Sequence, residues 1–404
     1  MKKNLLIIGA GIEACEGIKI AKAMGLGLIV VDGNPQAPGF ELADHVLRVS
    51  TYDGDGIAQA AMELVLSGTP VHGVIAMCAD VPMSVAKVAQ KLGLPGLSLQ
   101  SAHWVADKLA MKEQLQKAGI PIPRFTAVSE YDLLEAAQRI GFPLVIKPVD
   151  SRGARGVQLL DKPQQLADAY LLAKLESPTG RVMLEEYLSG PQFSTETLID
   201  DGHCYTLGFA DRNYEWLEKT RPFMIENGGD SPTGVSSAIK AAVVDTVEKA
   251  ALALGITSGV AKGDMVYTAE GAKVIEIAGR LSGGYFSTTQ IPLSSGVNFI
   301  QQAIKLALGE HLLSEDVTPS QERGVAIRYL SLPAGVVHSV DGIELAQSAP
   351  GVELLSVFVQ AGDSITDVKN HTQRGGFVIC TGDTKQEAIE RAAYALSLIR
   401  VIYE

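Results

Sequence analysis

The 404-residue chain has little cysteine, no excess of basic charge and no long apolar run. Its four cysteines, Cys15, Cys78, Cys204 and Cys380, are scattered with no CxxC spacing. That pattern argues against a disulfide framework or a zinc centre and fits a reducing, cytoplasmic setting. Lysine and arginine number 34 against 46 aspartates and glutamates, giving a formal net charge of −12 and a pI near 5.2. Nucleic-acid binders present a basic face, so DNA and RNA are not expected partners. A nucleotide stays open, because a few local cations suffice for it. No stretch approaches the roughly 18 apolar residues of a membrane span, so no membrane partner is expected. The opening MKKNLLIIGAGIEA holds two lysines and a short apolar run that breaks at Gly9. It reads as a first β-strand rather than a secretory leader. There is no internal repeat and no low-complexity segment, and His103, His203 and His371 share no metal-binding spacing.

What is present is core. The chain is 47% hydrophobic and 20% charged, enough for two to four domains of ordinary size. NLLII, a loop and helix, and LIVVDGN begin an alternation of strands and helices that ends near residue 100. Apolar strands in such an alternation predict a parallel sheet covered on both faces. A second unit opens with a helix from about 106 to 117, stopped by Gly119 and Pro121. Strands then mix with helices at about 236–254 and 296–308. Residues 310–322 are polar and read as a linker. The tail, 323–404, carries AIRYLSL, LLSVFVQ and GFVICTG and a final helix of about 385–400, a small α+β module.

The richest stretch runs from Pro143 to Leu188. A short apolar strand delivers Lys147 and breaks at Pro148. Then comes Ser151-Arg152-Gly153-Ala154-Arg155-Gly156, a small-residue loop with two arginines. Glycines let backbone approach a ligand, and successive N–H groups can hold phosphate oxygens. The loop lacks the GxxxxGK of a Walker A sequence, so a different nucleotide fold is indicated. Glu185-Glu186-Tyr187-Leu188 closes a later strand, as a hinge beside an adenine edge would.

The segment GDMVYTAEGAKVIEIAG reads as a hairpin. With Gly271 in a three-residue turn, Asp264 lies opposite Glu276, Cβ atoms roughly 5 Å apart and on one face. Two facing carboxylates near phosphates suit Mg²⁺. A turn of another length shifts the pairing, and an exposed hairpin with solvated acids is an equal alternative. Arg280 and Ser282-Gly283-Gly284 follow, an arginine placed to neutralise charge developing at a phosphoryl or acyl-phosphate centre.

Lys108, Lys147, the SRGARG loop, EEYL, Asp264, Glu276 and Arg280 resemble, in order and spacing, the ATP-grasp superfamily. The branch they resemble is that of the L-amino-acid ligases and carbamoyl phosphate synthetase-like proteins. The resemblance implies an α/β and α+β multidomain fold. A Rossmann-like pre-ATP-grasp domain would span 1–100, an ATP-grasp domain 101–310 with its lid at about 124–187, and a C-terminal α+β domain 323–404. It implies ATP with Mg²⁺ or Mn²⁺ as cofactors, small-molecule carboxylate and amine substrates, and a homodimer. Lys108 and Lys147 would touch the phosphates, and Ser151, Arg152, Gly153, Arg155 and Gly156 would cover them. Glu185 and the Glu186 carbonyl would hold the adenine amino group, with the Leu188 N–H on the ring, Tyr187 in the hinge and Gln192 on the ribose. Asp264 and Glu276 would hold the metal, and Arg280 would stabilise the reacting carboxylate. The family's usual ExNxR is here Glu276-Ile277-Ala278-Gly279-Arg280, so Ala278 supplies no metal oxygen. FMIENGGDSPT also lacks the histidine that this branch tends to carry there.

The function implied is ATP-dependent joining of a carboxylate to an amine through an acyl phosphate. Alternatives are a purine-pathway ligase such as phosphoribosylglycinamide synthetase, or a catalytically weak ATP-binding module. GAGIEA with Asp32 also approaches a dinucleotide fingerprint, a weak signal on its own. Glu13 in that turn, Glu226, Asn227, Ser282, Gly283 and Gly284 are candidate substrate contacts. Asp80 ends a strand of the same sheet, where helix capping explains it equally well.

Overall fold

The computed structural model describes residues 2–404. Strands Asn4–Ile8, Gly27–Val31, His45–Leu47 and Gly73–Ala76 form a parallel sheet with Asn4–Ile8 between Gly27–Val31 and Gly73–Ala76. Side chains alternate across it as strand geometry requires. Leu5, Ile7, Leu28 and Val30 feed one core, and Leu6, Ile8, Ile29 and Val31 feed another on the opposite face. Gly9 leaves the first strand at φ +100, where an added Cβ would lie 3.0 Å from Ala79. Glycine is therefore required in that turn.

The expected helix from 106 to 117 is two helices, Leu99–Ala106 and Lys108–Lys117. Asp107 is extended between them, caps the second by accepting from the Ala110 N–H, and is paired with Arg181. The cap sets Lys108 at a helix start. A four-stranded antiparallel sheet follows, in the order Phe125–Val128, Val182–Glu186, Leu144–Pro148, Gln158–Leu160. Helices Leu133–Ile140 and Leu166–Leu175 close it into a separate core around Ile146 and Leu184.

The tail is an α+β module, as expected, and it is joined to the rest by strand pairing. Strand Gly324–Tyr329 pairs with Gly228–Ser231, so the tail extends one eight-stranded sheet. From Gly271–Ala278 at one edge the sheet runs through Gly259–Thr268, Gln192–Asp200, His203–Asn213 and Gly228–Ser231. It continues through Gly324–Tyr329 and Gly376–Gly382 to Val352–Val357. The final helix stops at Ser397, and Arg400–Tyr403 pairs as a strand with Gly335–Asp341. Among the described residues no helix is long and apolar enough to cross a membrane.

The hairpin places Asp264 opposite Glu276, by a route the sequence reading did not foresee. Thr268 pairs with Gly271, so the turn has two residues and Gly271 lies outside it. That register alone would set Asp264 against Ile275. A bulge between Asp264 and Met265 shifts the ladder by one residue and restores the pair. The Ile275 carbonyl instead accepts from the buried Lys112 Nζ at 2.8 Å.

Candidate functional site

A cavity of about 630 Å³ lies where the parallel sheet, the antiparallel lid, the central sheet and the tail meet. It collects every candidate residue except Gly156 and Asn227. Gly156 turns the chain at φ +69, where a Cβ would lie 3.0 Å from Pro148 and 3.1 Å from Ala173; its part is close packing. Asn227 is buried and joins strands: its N–H donates to the Asn213 carbonyl, and its carbonyl accepts from the Tyr329 N–H.

Where strand Val182–Glu186 meets the cavity, Glu185 is 3% exposed. Its carboxylate oxygens sit 2.8 Å from Lys147 Nζ and 3.1 Å from Lys112 Nζ. Burial would raise its pKa, but Lys112 and Lys147 more than offset that and hold it below its ordinary value. The Glu185 carboxylate thus binds two lysines. Lys112, wholly buried, is pushed down to about 8 by burial, with Glu185 pulling it back up. The Glu186 carboxylate is engaged by Arg124 at 3.2 Å. Among the described residues nothing accepts from the Leu188 N–H, which stands beside Tyr187 in the cavity wall. Gln192 begins the next strand on the same wall.

The glycine loop is held from three sides. Lys108 Nζ donates to the Ser151 carbonyl at 2.7 Å and lies 3.3 Å from Glu276. Arg152 reaches Asp80 at 3.5 Å and stands 4.9 Å over the Tyr52 ring. The Gly153 carbonyl accepts from the His371 N–H of the tail at 3.0 Å. Arg155 lines the cavity and has no ion-pair partner among the described residues.

The two acids are not the unpartnered carboxylates that the hairpin suggested. Asp264 has Arg212 Nη1 at 2.9 Å and Lys262 Nζ at 2.5 Å. Burial opposes its charge, but Arg212 and Lys262 dominate and depress its pKa far below the usual carboxylate range. Lys262 pairs in register with Ala278, the position where the family's asparagine is missing. No group of three metal-ligating side chains exists among the described residues. Asp264 Oδ1 is buried and, despite its nearness to Arg212, receives no well-directed hydrogen bond. Two facing carboxylates with one such oxygen fit a Mg²⁺ ion whose remaining positions go to water and substrate phosphates.

At the far end, Arg280 Nε lies 3.4 Å from Asp80, and its Nη1 donates to the Leu281 carbonyl. Burial would raise the Asp80 carboxyl, but Arg280, Arg152 and Lys108 hold it below its ordinary value. Asp80 is therefore a bracket between the glycine loop and Arg280 rather than a simple helix cap. The Ser282 N–H donates to Glu196 at 2.8 Å, and the Gly284 N–H to Glu13 at 3.1 Å. Of the N–H groups of Ser282, Gly283 and Gly284, that of Gly283 is the one without an acceptor among the described residues. Glu196, wholly buried and bonded to Ser287, is pushed up to about 7 by burial, which the hydrogen bonds from Ser287 and Ser282 only partly offset. Glu226 is gripped by Arg212 at 2.5 Å. The Glu226 N–H donates to His371 Nε2 at 3.3 Å, and burial drives that imidazole well below its ordinary value, so it is neutral.

Sequence reasoning missed Lys112, Arg212, Lys262, His371 and Arg374. Lys112 had a signal, since it follows Lys108 by four residues on one helix. His371 and Arg374 had none, because nothing local ties the tail to the lid.

Three family models match the chain: "ATP-grasp N-terminal domain" at residues 18–96, "ATP-grasp domain" at 105–284 and "L-amino acid ligase C-terminal domain 2" at 328–404. The L-arginine-specific L-amino acid ligase of Bacillus subtilis is 22% identical over 338 residues, 80% of this chain and 78% of that protein. The crystal structure of L-amino acid ligase from Bacillus licheniformis superposes with a TM-score of 0.84 at 22% identity, covering 100% of this chain and 99% of that one. Phosphoribosylglycinamide synthetase from Anaerococcus prevotii gives 0.76 at 20% identity, with both chains covered in full. These structural likenesses show the fold.

Proposed function

The chain belongs to the ATP-grasp superfamily of ADP-forming carboxylate–amine ligases, and from that premise we propose that it joins a small carboxylic acid to an amine, most like an L-amino-acid ligase. The supporting observation is that Lys147, the facing Asp264 and Glu276, and Arg280 line one cavity. The tail that completes this cavity carries the amino-acid-ligase match, which favours that branch over the purine-pathway alternative.

In this reading Lys108, Lys147 and the loop from Ser151 to Arg155 hold the triphosphate, and the hinge at Glu186–Leu188 holds the base. Asp264 and Glu276 hold Mg²⁺ or Mn²⁺, which when bound draws negative charge from the phosphates. The substrate carboxylate attacks the γ-phosphorus, the bond to the β-phosphate oxygen breaks, and ADP leaves. Arg280 and the Gly283 N–H steady the acyl phosphate. The amine nitrogen then attacks the acyl carbon, the carbon–oxygen bond to phosphate breaks, and the proton lost by the amine ends on the released phosphate. Both steps concentrate negative charge in one place, where fixed cations act most strongly. A homodimer working in the cytoplasm is part of the same proposal and is read by light scattering and cell fractionation.

The test is ADP and phosphate release from Mg–ATP across a panel of amino-acid pairs, with hydroxylamine as a general amine to trap acyl phosphates as hydroxamates. Neither product from any acid would refute the reading.

A further inference from the structure

Most charged groups in the cavity answer one another. Asp80 answers Arg152 and Arg280, Glu185 answers Lys147, Glu276 answers Lys108, and Asp264 with Glu226 answers Arg212. Glu13 is a cavity acid with no cation paired to it among the described residues. Arg374, brought in by the tail, is a cavity guanidinium with no acid paired to it among the described residues. Arg155 shares that state, but it stands on the glycine loop.

Arg374 is held firmly for a group without a counter-ion. Its Nε donates to the His371 carbonyl at 2.9 Å and its Nη1 to the Glu226 carbonyl at 3.2 Å. Its guanidinium lies 3.3 Å from the centre of the Tyr329 ring. The Tyr329 hydroxyl in turn closes on Gly284, where an added Cβ would lie 2.8 Å from it. Gly284 is the residue whose N–H Glu13 accepts. Glu13 and Arg374 are thus neighbours across Gly284 and Tyr329. Burial raises the Glu13 carboxyl, and the Gly284 N–H, Arg374 and Arg280 pull it back. Beside them runs an aromatic wall: Phe377 lies 4.7 Å from Tyr285, 6.3 Å from Tyr329 and 5.8 Å from Phe358, centre to centre.

An acid and a guanidinium, fixed apart beside apolar rings, match a zwitterion with an apolar side chain. Leaving such charges unanswered is costly, which points to a ligand that answers both. The carboxylate to be activated has Arg280 and Gly283 for its site. Arg374 therefore suits a carboxylate that the reaction does not consume. We propose that Arg374 and Glu13 are the residues that select the amine substrate, Arg374 anchoring its carboxylate and Glu13 receiving its ammonium, with its side chain against the Phe377 wall. This rests on the ligase reading above.

The test measures kcat/KM for an apolar α-amino acid and for its primary amide as competing amines, with one carboxylate donor. The wild-type chain prefers the acid by about 10-fold or more, the worth of a charge-assisted hydrogen bond. Arg374→Met brings that ratio to near one, and Arg374→Lys, which keeps the charge without the fork, falls between. The ratio is taken within each variant, so a general loss of activity cancels. Glu13→Gln keeps an acceptor for the Gly284 N–H and raises KM for the amino acid about 10-fold while leaving KM for the donor within about twofold. Wild-type hydroxamate formation reports on the ligase reading separately, and its absence sinks both. With hydroxamate formed, a wild-type ratio near one, or a ratio unmoved in Arg374→Met, overturns the anchor.

Discussion

Replacing Glu185 by glutamine tests the charge arrangement beneath the nucleotide end. The carboxylate is 3% exposed and stands between Lys112, which is wholly buried, and Lys147. Glutamine keeps the shape and removes the charge that both ammonium groups face. Removing one partner of a buried pair costs about 3–5 kcal/mol. The pH dependence is more diagnostic. Lys112 in the folded chain is held down at about 8 against its ordinary 10.5, by burial with Glu185 opposing. A lysine so depressed destabilises the fold fully below its folded pKa, and the penalty is relieved as pH rises towards 10.5. In the wild type this relief begins near pH 8. In Glu185→Gln the opposing charge is gone, the folded pKa drops further, and relief begins at lower pH. Between pH 6 and 8 the variant therefore gains up to about 1.4 kcal/mol per pH unit while the wild type, for this group, stays flat. Glu185 adds no slope there, because its own pKa is lowered and it remains ionised. Urea unfolding followed by Trp104 fluorescence reads this directly, since Trp104 packs on the same core as Met111 and Leu115. The Glu185→Gln, Lys112→Met double variant removes the titrating amine and its slope, and at pH 6 recovers about 2 kcal/mol after the unmet Ile275 carbonyl is counted. A single variant within about 1 kcal/mol of wild type at pH 6, or a gap that does not narrow towards pH 8, would refute the reasoning.

Lys147→Ala lowers ADP release by about 10²–10³-fold while the unfolding midpoint stays near wild type, because Lys112 still answers Glu185; turnover surviving the change would misplace the phosphate site. Asp264→Asn weakens Mn²⁺ binding about 10-fold or more in electron paramagnetic resonance titrations with ADP, and unchanged affinity would remove Asp264 from the ion. Stripping divalent ions with a chelator abolishes ADP release, and Mg²⁺ restores it. Ala278→Asn puts an amide next to its register partner Lys262; the expected outcome is a higher Mn²⁺ stoichiometry per chain, whereas an unaltered count would show that this position has no part in metal binding.

The site was legible in the sequence wherever its chemistry is local. The strand that delivers Lys147, the glycine loop after it and the hinge at Glu185–Leu188 lie within one stretch, so spacing carries them. The Asp264–Glu276 pair was reached from an incorrect turn length, because a bulge compensated for the missing residue. Hydrophobic alternation cannot show such a bulge, which here coincides with an ammonium from another helix taking the Ile275 carbonyl. The partners of the acids were illegible for a related reason. Arg212 precedes Asp264 by 52 residues and meets it only across paired strands. The tail's α+β character was legible, but its attachment was not, because the pairing of Gly228–Ser231 with Gly324–Tyr329 is nonlocal and a polar segment intervenes.

That pairing has a consequence for how the two ends of the cavity are spaced. Strand Gly259–Thr268 bears Asp264, and Gly324–Tyr329 bears Tyr329, under which Arg374 stacks. Four ladder steps separate the two strands, at most roughly 19 Å at ~4.8 Å a step. The acids and the tail's strands thus share one hydrogen-bonded frame. A one-residue slip in any ladder between them would turn a strand's side chains to the opposite face, so register, more than loop geometry, fixes where Arg374 stands relative to Asp264. The glycine loop is held by three contacts, Lys108 on Ser151, Asp80 on Arg152 and the His371 N–H on Gly153, while the sheet behind it is also tied by the Leu159 N–H on the Pro222 carbonyl and by Lys112 on Glu185. The loop's own ties run through two side chains and one backbone hydrogen bond, so the glycine loop can part from them at much lower cost than the sheet can shift, and movement at the site belongs to that loop.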